Sequence, residues 1–308
     1  MIPQRFLPRS LAYGCWRLAG SEGAARPADP GAQGRRAVHA AIDAGYTVFD
    51  LADIYGGGEC ERLFGEALRE RAGVRDRLVV ASKCGIRKPG SPSAEDPHRY
   101  DSSAPHIVAS VEGSLRRMQL ETLDLLMLHR PDFLMDPAEV AGAFVQLYDA
   151  GKVRAFGVSN FRPSQVIALQ RACPLPLVVH QVEFSLSHLS VCEDGTLDQC
   201  LAEGIVPMAW SPLGRGVLGE GDVSHVAPAE QARIDRIRAA LDRMAGAHGV
   251  TRGVVALAWL LRHPAGIVPI VGSVNPDRIV ESRRAESLLL SREDWYRLLL
   301  AARSQPLP

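Results

Sequence analysis

Eight short apolar runs recur along this chain, and each is followed by a longer segment with apolar residues at helical spacing. The runs fall at residues 11–15, 47–50, 78–83, 123–129, 153–159, 177–181, 206–210 and 267–272. They are short and mostly apolar, as strands buried on both faces should be. Helices are read over 34–44, 59–71, 105–119, 137–150, 163–172, 196–203, a longer 229–263 region, 276–284 and 292–303. Asp136 before Pro137, Asn275 before Pro276, and Ser291 supply N-cap chemistry for three of them. Eight alternations over roughly 250 core residues predict an α/β fold of the (β/α)8 TIM-barrel type, with a doubly wound sheet as the competitor. No linker, repeat or low-complexity segment divides the 308 residues, so one barrel domain over 1–308 is expected.

Composition narrows the function classes. Lys plus Arg and Asp plus Glu are both 35, so the formal net charge is zero. That balance gives no bulk electrostatic drive toward nucleic acid or an anionic membrane. The longest strongly apolar stretch, 253–261, is about half the length of a bilayer span. Residues 1–10 carry Arg5 and Arg9 but no apolar run after them, so no signal peptide is expected. The six cysteines show no CxxC pair, and the nine histidines show no HExxH or mixed cluster of zinc-site spacing. A cytoplasmic, metal-free chain is the expectation. The sequence is silent on assembly, and a monomer or weak homo-oligomer is expected.

Four polar side chains stand at or just beyond consecutive strand ends: Asp50, Tyr55, Lys83 and His129. In a barrel these positions converge on one mouth. A phenol is a weak acid with a pKa of about 10. A nearby ammonium favours the phenolate, and a carboxylate would hold that ammonium charged. An imidazole can hydrogen-bond a substrate oxygen. Such a set could protonate the alkoxide left when hydride reaches a carbonyl. Each residue alone has a simpler explanation as a turn, packing or core residue. Their joint placement carries the inference. Two long loops, 86–104 and 212–228, follow strands and should sit on the same C-terminal face.

The segment Phe49-Asp50-Leu51-Ala52-Asp53-Ile54-Tyr55-Gly56, with Glu61 and Gly65-Glu66-Ala67-Leu68 after it, resembles the signature of the aldo-keto reductases. Val80-Ala81-Ser82-Lys83, Asp124-Leu125-Leu126-Met127-Leu128-His129-Arg130-Pro131 and Gly151-Lys152-Val153-Arg154-Ala155-Phe156-Gly157-Val158-Ser159-Asn160-Phe161 are similar to further motifs of that family, in the family's order. The likeness spans about 11 to 282 and is nearest to a bacterial subgroup with poorly defined substrates. The resemblance implies a barrel that binds NADP(H) in extended form without a Rossmann domain. It implies Tyr55 as general acid in reduction and base in oxidation. Lys83, paired with Asp50, would lower the tyrosine pKa, and His129 would orient the carbonyl. Ser159, Asn160 and Gln181 resemble the groups that hold the nicotinamide carboxamide, and Trp210 resembles the aromatic shelf beneath it.

Two glycine motifs bear on the cofactor. Gly214-Arg215-Gly216-Val217-Leu218-Gly219 fits GxGxxG after a strand, but a Rossmann reading needs a helix at once, and Glu220-Gly221-Asp222 is poor helix material. In the reductase reading, Ser211, Leu213, Gly214 and Gly216 belong to a loop that folds over the pyrophosphate. Gly272 and Ser273 lead through Asn275 to a helix start, a ready phosphate site, where Arg278 could bind a 2′-phosphate. This favours NADP(H). Many members of the family carry a lysine where Gly272 stands and an asparagine where Ser282 stands, so NAD(H) use stays open. A threonine also often precedes the aromatic residue near Gly14-Cys15-Trp16. Cys15 then offers only backbone, while Trp16 is a candidate wall of the substrate pocket beside Tyr55 and His129.

The expected activity is NADP-dependent, reversible reduction of small aldehydes or ketones. A nicotinamide-binding regulatory subunit with little turnover is the alternative, and a Schiff-base enzyme using Lys83 is a third reading. Arg87, Lys88, Arg99 and Arg130 would suit an anionic substrate, although a solvated loop face explains them more simply.

Overall fold

The computed structural model describes residues 10–20, 29–224, 226–303 and 306–307. The expectation about a leader in residues 1–10 falls mostly outside these described residues. Three strands open the fold: β1 (Ala12–Gly14), β2 (Val48–Asp50) and β3 (Val79–Cys84). A two-stranded antiparallel ribbon follows, β4 (Ile86–Arg87) with β5 (Arg99–Tyr100), and it gives the loop after β3 internal structure that the sequence did not predict. The remaining strands are β6 (Leu125–Leu128), β7 (Phe156–Ser159), β8 (Leu177–Glu183), β9 (Val206–Trp210) and β10 (Val268–Val271). Apart from the ribbon, all pair in parallel and close in the order β1-β10-β9-β8-β7-β6-β3-β2. The expected (β/α)8 barrel is therefore the observed fold.

Helices cover the outside: α1 (Pro30–Asp43), α2 (Glu59–Arg69), α3 (Ala104–Met118), α4 (Pro137–Asp149), α5 (Pro163–Ala172), α6 (Thr196–Glu203), α7 (Pro228–His248), α8 (Arg252–Leu261), α9 (Pro276–Ser282) and α10 (Arg292–Ala302). Asp136, Asn275 and Ser291 cap α4, α9 and α10 as expected, each accepting from a backbone N–H of the first turn. Two boundaries differ from the sequence reading. α1 starts at Pro30 because Asp29 caps it, accepting from Ala32 N. The 229–263 region is two helices, broken where Gly249 takes φ 61 and ends α7.

Two apolar layers hold the fold together. One lies between strands and helices and includes Phe49, Phe64, Phe144, Phe156 and Trp259. The other fills the barrel and includes Ala12, Val48, Ala81, Met127, Ala155, Val179, Met208 and Ile270. Interior backbones approach closely. A Cβ on Gly157 would stand 2.6 Å from the Val179 carbonyl oxygen, so only glycine fits there. Side chains of a strand return to the same face every second residue. Two steps beyond the interior residues stand Gly14, Asp50, Lys83, His129, Gln181, Trp210 and Gly272, and Ala155 leads through Gly157 to Ser159. The period of the strand thus carries each of the eight staves from an apolar interior to one ring of polar, aromatic and glycine positions at the C-terminal mouth.

Candidate active site

The ring has an ion pair at its base. Lys83 Nζ donates to Asp50 Oδ1 at 2.6 Å, and neither side chain is more than 5% exposed. Gln181 Nε2 donates to the same oxygen at 2.8 Å. Tyr55 comes from outside the strands. The chain after β2 runs along β3, with Leu51 N to Ala81 O at 2.9 Å and Asp53 N to Lys83 O at 3.0 Å. It then turns sharply at 55–58, where Gly56 and Gly57 take φ 57 and 67. That turn sets the Tyr55 ring centre 5.1 Å from Lys83 Nζ and 5.8 Å, edge to face, from the His129 ring. The four expected residues are thus brought together.

Burial decides the protonation states. It pushes the Tyr55 phenol up to about 12, although the Lys83 charge pulls the other way. The expected lowering by lysine is present but smaller than desolvation, because Asp50 offsets part of the ammonium's field. The phenol therefore carries its proton at neutral pH. Burial opposes the Lys83 charge, but Asp50 and Tyr55 together hold it above the usual lysine range. His129 is driven well below the ordinary histidine value by burial, then by Lys83 and Arg130, so its ring is neutral. Its Nδ1 is buried and has no hydrogen-bond partner among the described residues. An orphaned N–H is costly. The ring proton therefore belongs on Nε2, as a donor toward the cleft.

Next to this set lies a receptor for an amide. Asn160, at φ 60, gives Nδ2 to Ser159 Oγ at 2.7 Å and to the His129 carbonyl at 3.3 Å. Trp210 Nε1 donates to Asn160 Oδ1 at 2.9 Å. The network leaves open the Ser159 hydroxyl proton, a second lone pair on Asn160 Oδ1, and Gln181 Oε1. A nicotinamide carboxamide needs one donor for its oxygen and acceptors for its two N–H groups. The donor set fits that head group.

A cleft of about 790 Å³ runs from this ring across the C-terminal face. Gly14, Trp16, Asp50, Tyr55, His129, Ser159, Asn160, Gln181, Trp210, Ser211, Leu213, Gly216, Gly272, Ser273, Arg278 and Ser282 all line it. Lys83 lies beneath its floor. Gly214 is absent from this lining; a Cβ there would stand 2.4 Å from Ser187 Oγ, so the turn requires glycine at that position. The turn 214–216 leads into no helix, and the next one, α7, starts at Pro228, so the GxGxxG match is no Rossmann loop. At the far end Asn275 already occupies the Asp277 and Arg278 N–H groups, and the Arg278 guanidinium lies 3.7 Å from Glu220. Ser282 Oγ turns back to the Arg278 carbonyl at 2.7 Å.

The sequence reading missed Arg17, Glu220, Thr251, Val254 and Glu281 as wall residues. Arg17, which donates to the Gly272 carbonyl at 3.4 Å, could have been found from its place just beyond β1. Thr251 and Val254 were hidden by reading α7 and α8 as one helix.

Comparison with known proteins agrees with this geometry. The model of the Aldo/keto reductase family matches residues 10–299. A 6-dehydroglucose reductase of Novosphingobium aromaticivorans is 41% identical over 304 residues, covering 97% of this chain and 93% of that protein. The glycerol dehydrogenase of Gluconobacter oxydans superposes with a TM-score of 0.83 at 26% identity, over 97% and 93% of the two chains. An aldo-keto reductase of Klebsiella pneumoniae in complex with NADPH gives 0.74 at 28% identity, over 96% and 92%. Among the described residues, no single helix is long and apolar enough to cross a membrane.

Proposed function

The chain belongs to the aldo/keto reductase family and is an NAD(P)H-dependent oxidoreductase; from that premise we propose that it reduces small aldehydes or ketones to alcohols with Tyr55 as the proton donor. The observation that supports this most is the buried Lys83–Asp50 pair set against the Tyr55 ring, beside the neutral His129. A nicotinamide nucleotide, when bound, supplies the hydride. Ser159, Asn160 and Gln181 hold its carboxamide, and Trp210 supports the ring. His129 Nε2 donates to the substrate oxygen and keeps it near the phenol. Tyr55 gives that oxygen its proton as negative charge develops there. Lys83 stabilises the phenolate that remains, and Asp50 keeps the lysine charged. In the oxidative direction the same atoms run in reverse, with Tyr55 as base.

NADP(H) is the proposed preference, on the strength of Arg278, with NAD(H) as the weaker cofactor. The similarity to a 6-dehydroglucose reductase favours hydroxylated, sugar-type aldehydes among the substrates. The test follows NADPH oxidation across aldehydes, ketones and sugars. Tyr55→Phe is expected to lower turnover about 100- to 10,000-fold, the usual range for a lost general acid. Quenching of Trp fluorescence by NADPH should be unchanged. Normal turnover by Tyr55→Phe would refute the assignment. NADPH binding without turnover on any carbonyl would favour a regulatory subunit.

A further inference from the structure

Arg130 directly follows His129 at the end of β6 and lines the same cleft as Tyr55 and Trp16. It is half-buried, and among the described residues its guanidinium has neither an ion pair nor a hydrogen bond. Its Cζ lies 5.7 Å from the centre of the Trp210 ring. Two other basic residues singled out in the sequence differ in this respect. Arg87 is paired with Asp101 at 3.0 Å, and Arg99 with Asp96 at 3.2 Å. The acid nearest to Arg130 in sequence, Asp132, is already engaged by Ser102 N, Ser102 Oγ and Leu134 N. Asp50 is held by Lys83 and Gln181.

The charges at this end of the cleft therefore do not cancel. Lys83 and Asp50 neutralise each other, His129 is neutral, and Arg130 leaves a local excess of positive charge. A partly desolvated guanidinium without an acid is unfavourable unless a partner arrives from outside. Its planar fork suits two oxygens side by side. Trp210, itself anchored to Asn160, gives the fork a face to lie on and so limits its orientation.

We propose that Arg130 recognises substrate, and that the carbonyl compounds this enzyme takes carry paired oxygens near the carbonyl, either a carboxylate or adjacent hydroxyls. This rests on the reductase reading above and narrows its substrate class. Arg130 donates both N–H groups of one edge to those oxygens. The carbonyl is thereby set beneath His129 Nε2 and the Tyr55 hydroxyl.

The test compares kcat/KM at saturating NADPH for matched pairs: glyceraldehyde against propanal, and succinic semialdehyde against butanal. The wild type should favour the oxygenated member of at least one pair about tenfold or more. Arg130→Gln should cost that member about 10- to 100-fold, mainly in KM, as expected for a charge-assisted pair of hydrogen bonds. Propanal and butanal should stay within about twofold. The pair that suffers identifies the source of the oxygens. Arg130→Lys, which keeps the charge without the fork, should rescue succinic semialdehyde in part and glyceraldehyde hardly at all. Equal losses on all four aldehydes, or none on any, would overturn the proposal. A second readout does not need turnover: succinate or sorbitol, titrated into the NADPH-loaded enzyme, should perturb Trp fluorescence in the wild type and not in Arg130→Gln. If none of the aldehydes reacts, carbonyl reduction fails as the function, while this titration still decides for or against Arg130.

Discussion

Replacing Lys83 with Met removes the ammonium at nearly constant volume and leaves Asp50 buried opposite an apolar chain. At 2.6 Å and an effective dielectric of about 20, the gross attraction lost is about 6 kcal/mol. Desolvation of both charges offsets much of that in the wild type, so the net worth of the pair is far smaller. The single variant loses the attraction but keeps the buried carboxylate, with only Gln181 still donating to it. Breaking one side of such a pair costs about 3–5 kcal/mol. With an unfolding entropy of about 2.1 cal/mol/K per residue over 308 residues, that lowers Tm by about 5–8 °C. Adding Asp50→Asn removes the stranded charge and should restore stability to within about 1–2 kcal/mol of the wild type. Activity should not follow stability. Tyr55 loses the cation that draws its pKa down, and both variants should turn over about 100-fold slower or worse. Scanning calorimetry and NADPH oxidation on the three proteins provide the measurements. A double variant no more stable than Lys83→Met would refute the energetic coupling. Lys83→Met with turnover within about threefold of the wild type would refute the catalytic role.

Two further outcomes are expected. Burial first, and Glu61 second, push the Asp53 carboxyl up to about 7 against the pull of Ser110, Arg117 and the Ile54 N–H. The folded chain then binds a proton that the unfolded chain has released, so this group's contribution to stability falls as pH rises from about 4 to 7 and stays lost above that. Asp53→Asn should therefore raise Tm by a few degrees at pH 8, roughly 1–3 kcal/mol, with the gain fading toward pH 5; a gain independent of pH would contradict this. At Gly272 an added Cβ meets nothing closer than the Gly14 carbonyl at 3.9 Å, so the backbone there accepts a side chain. Gly272→Lys should raise the preference for NADPH over NADH about tenfold by fluorescence titration, and equal tightening for both nucleotides would show that the new cation does not reach the 2′-phosphate.

Much of this site was legible because strands repeat every second residue. Val48 to Asp50, Ala81 to Lys83 and Met127 to His129 continue one face of a buried strand, so a polar residue at the end of an apolar run marks the mouth of the barrel. The family motifs then supplied Tyr55, which no strand period could place. What stayed hidden depended on neighbours distant in sequence. Apolar spacing continues across Gly249, and only its left-handed backbone separates α7 from α8. The motif containing Gly214 does not show which side of that glycine faces Ser187. Four basic residues near the mouth looked equivalent, yet Arg87 and Arg99 have acids beside them in space and Arg130 does not. Desolvation of Tyr55, which outweighs the lysine, depends on how tightly the ring is enclosed.

A single atom, Asp50 Oδ1, is shared by the Gln181 amide and the Lys83 ammonium. Because the Gln181 nitrogen is committed to that oxygen, its own carbonyl is left free for another donor, and the side chain cannot flip without abandoning the carboxylate. On the proposed function, occupancy of the nucleotide seat and proton affinity of the phenol become two readings of one hydrogen-bonded string. By thermodynamic reciprocity, nucleotide affinity should change with pH across the interval in which Tyr55 ionises, in proportion to the shift that binding imposes on Tyr55.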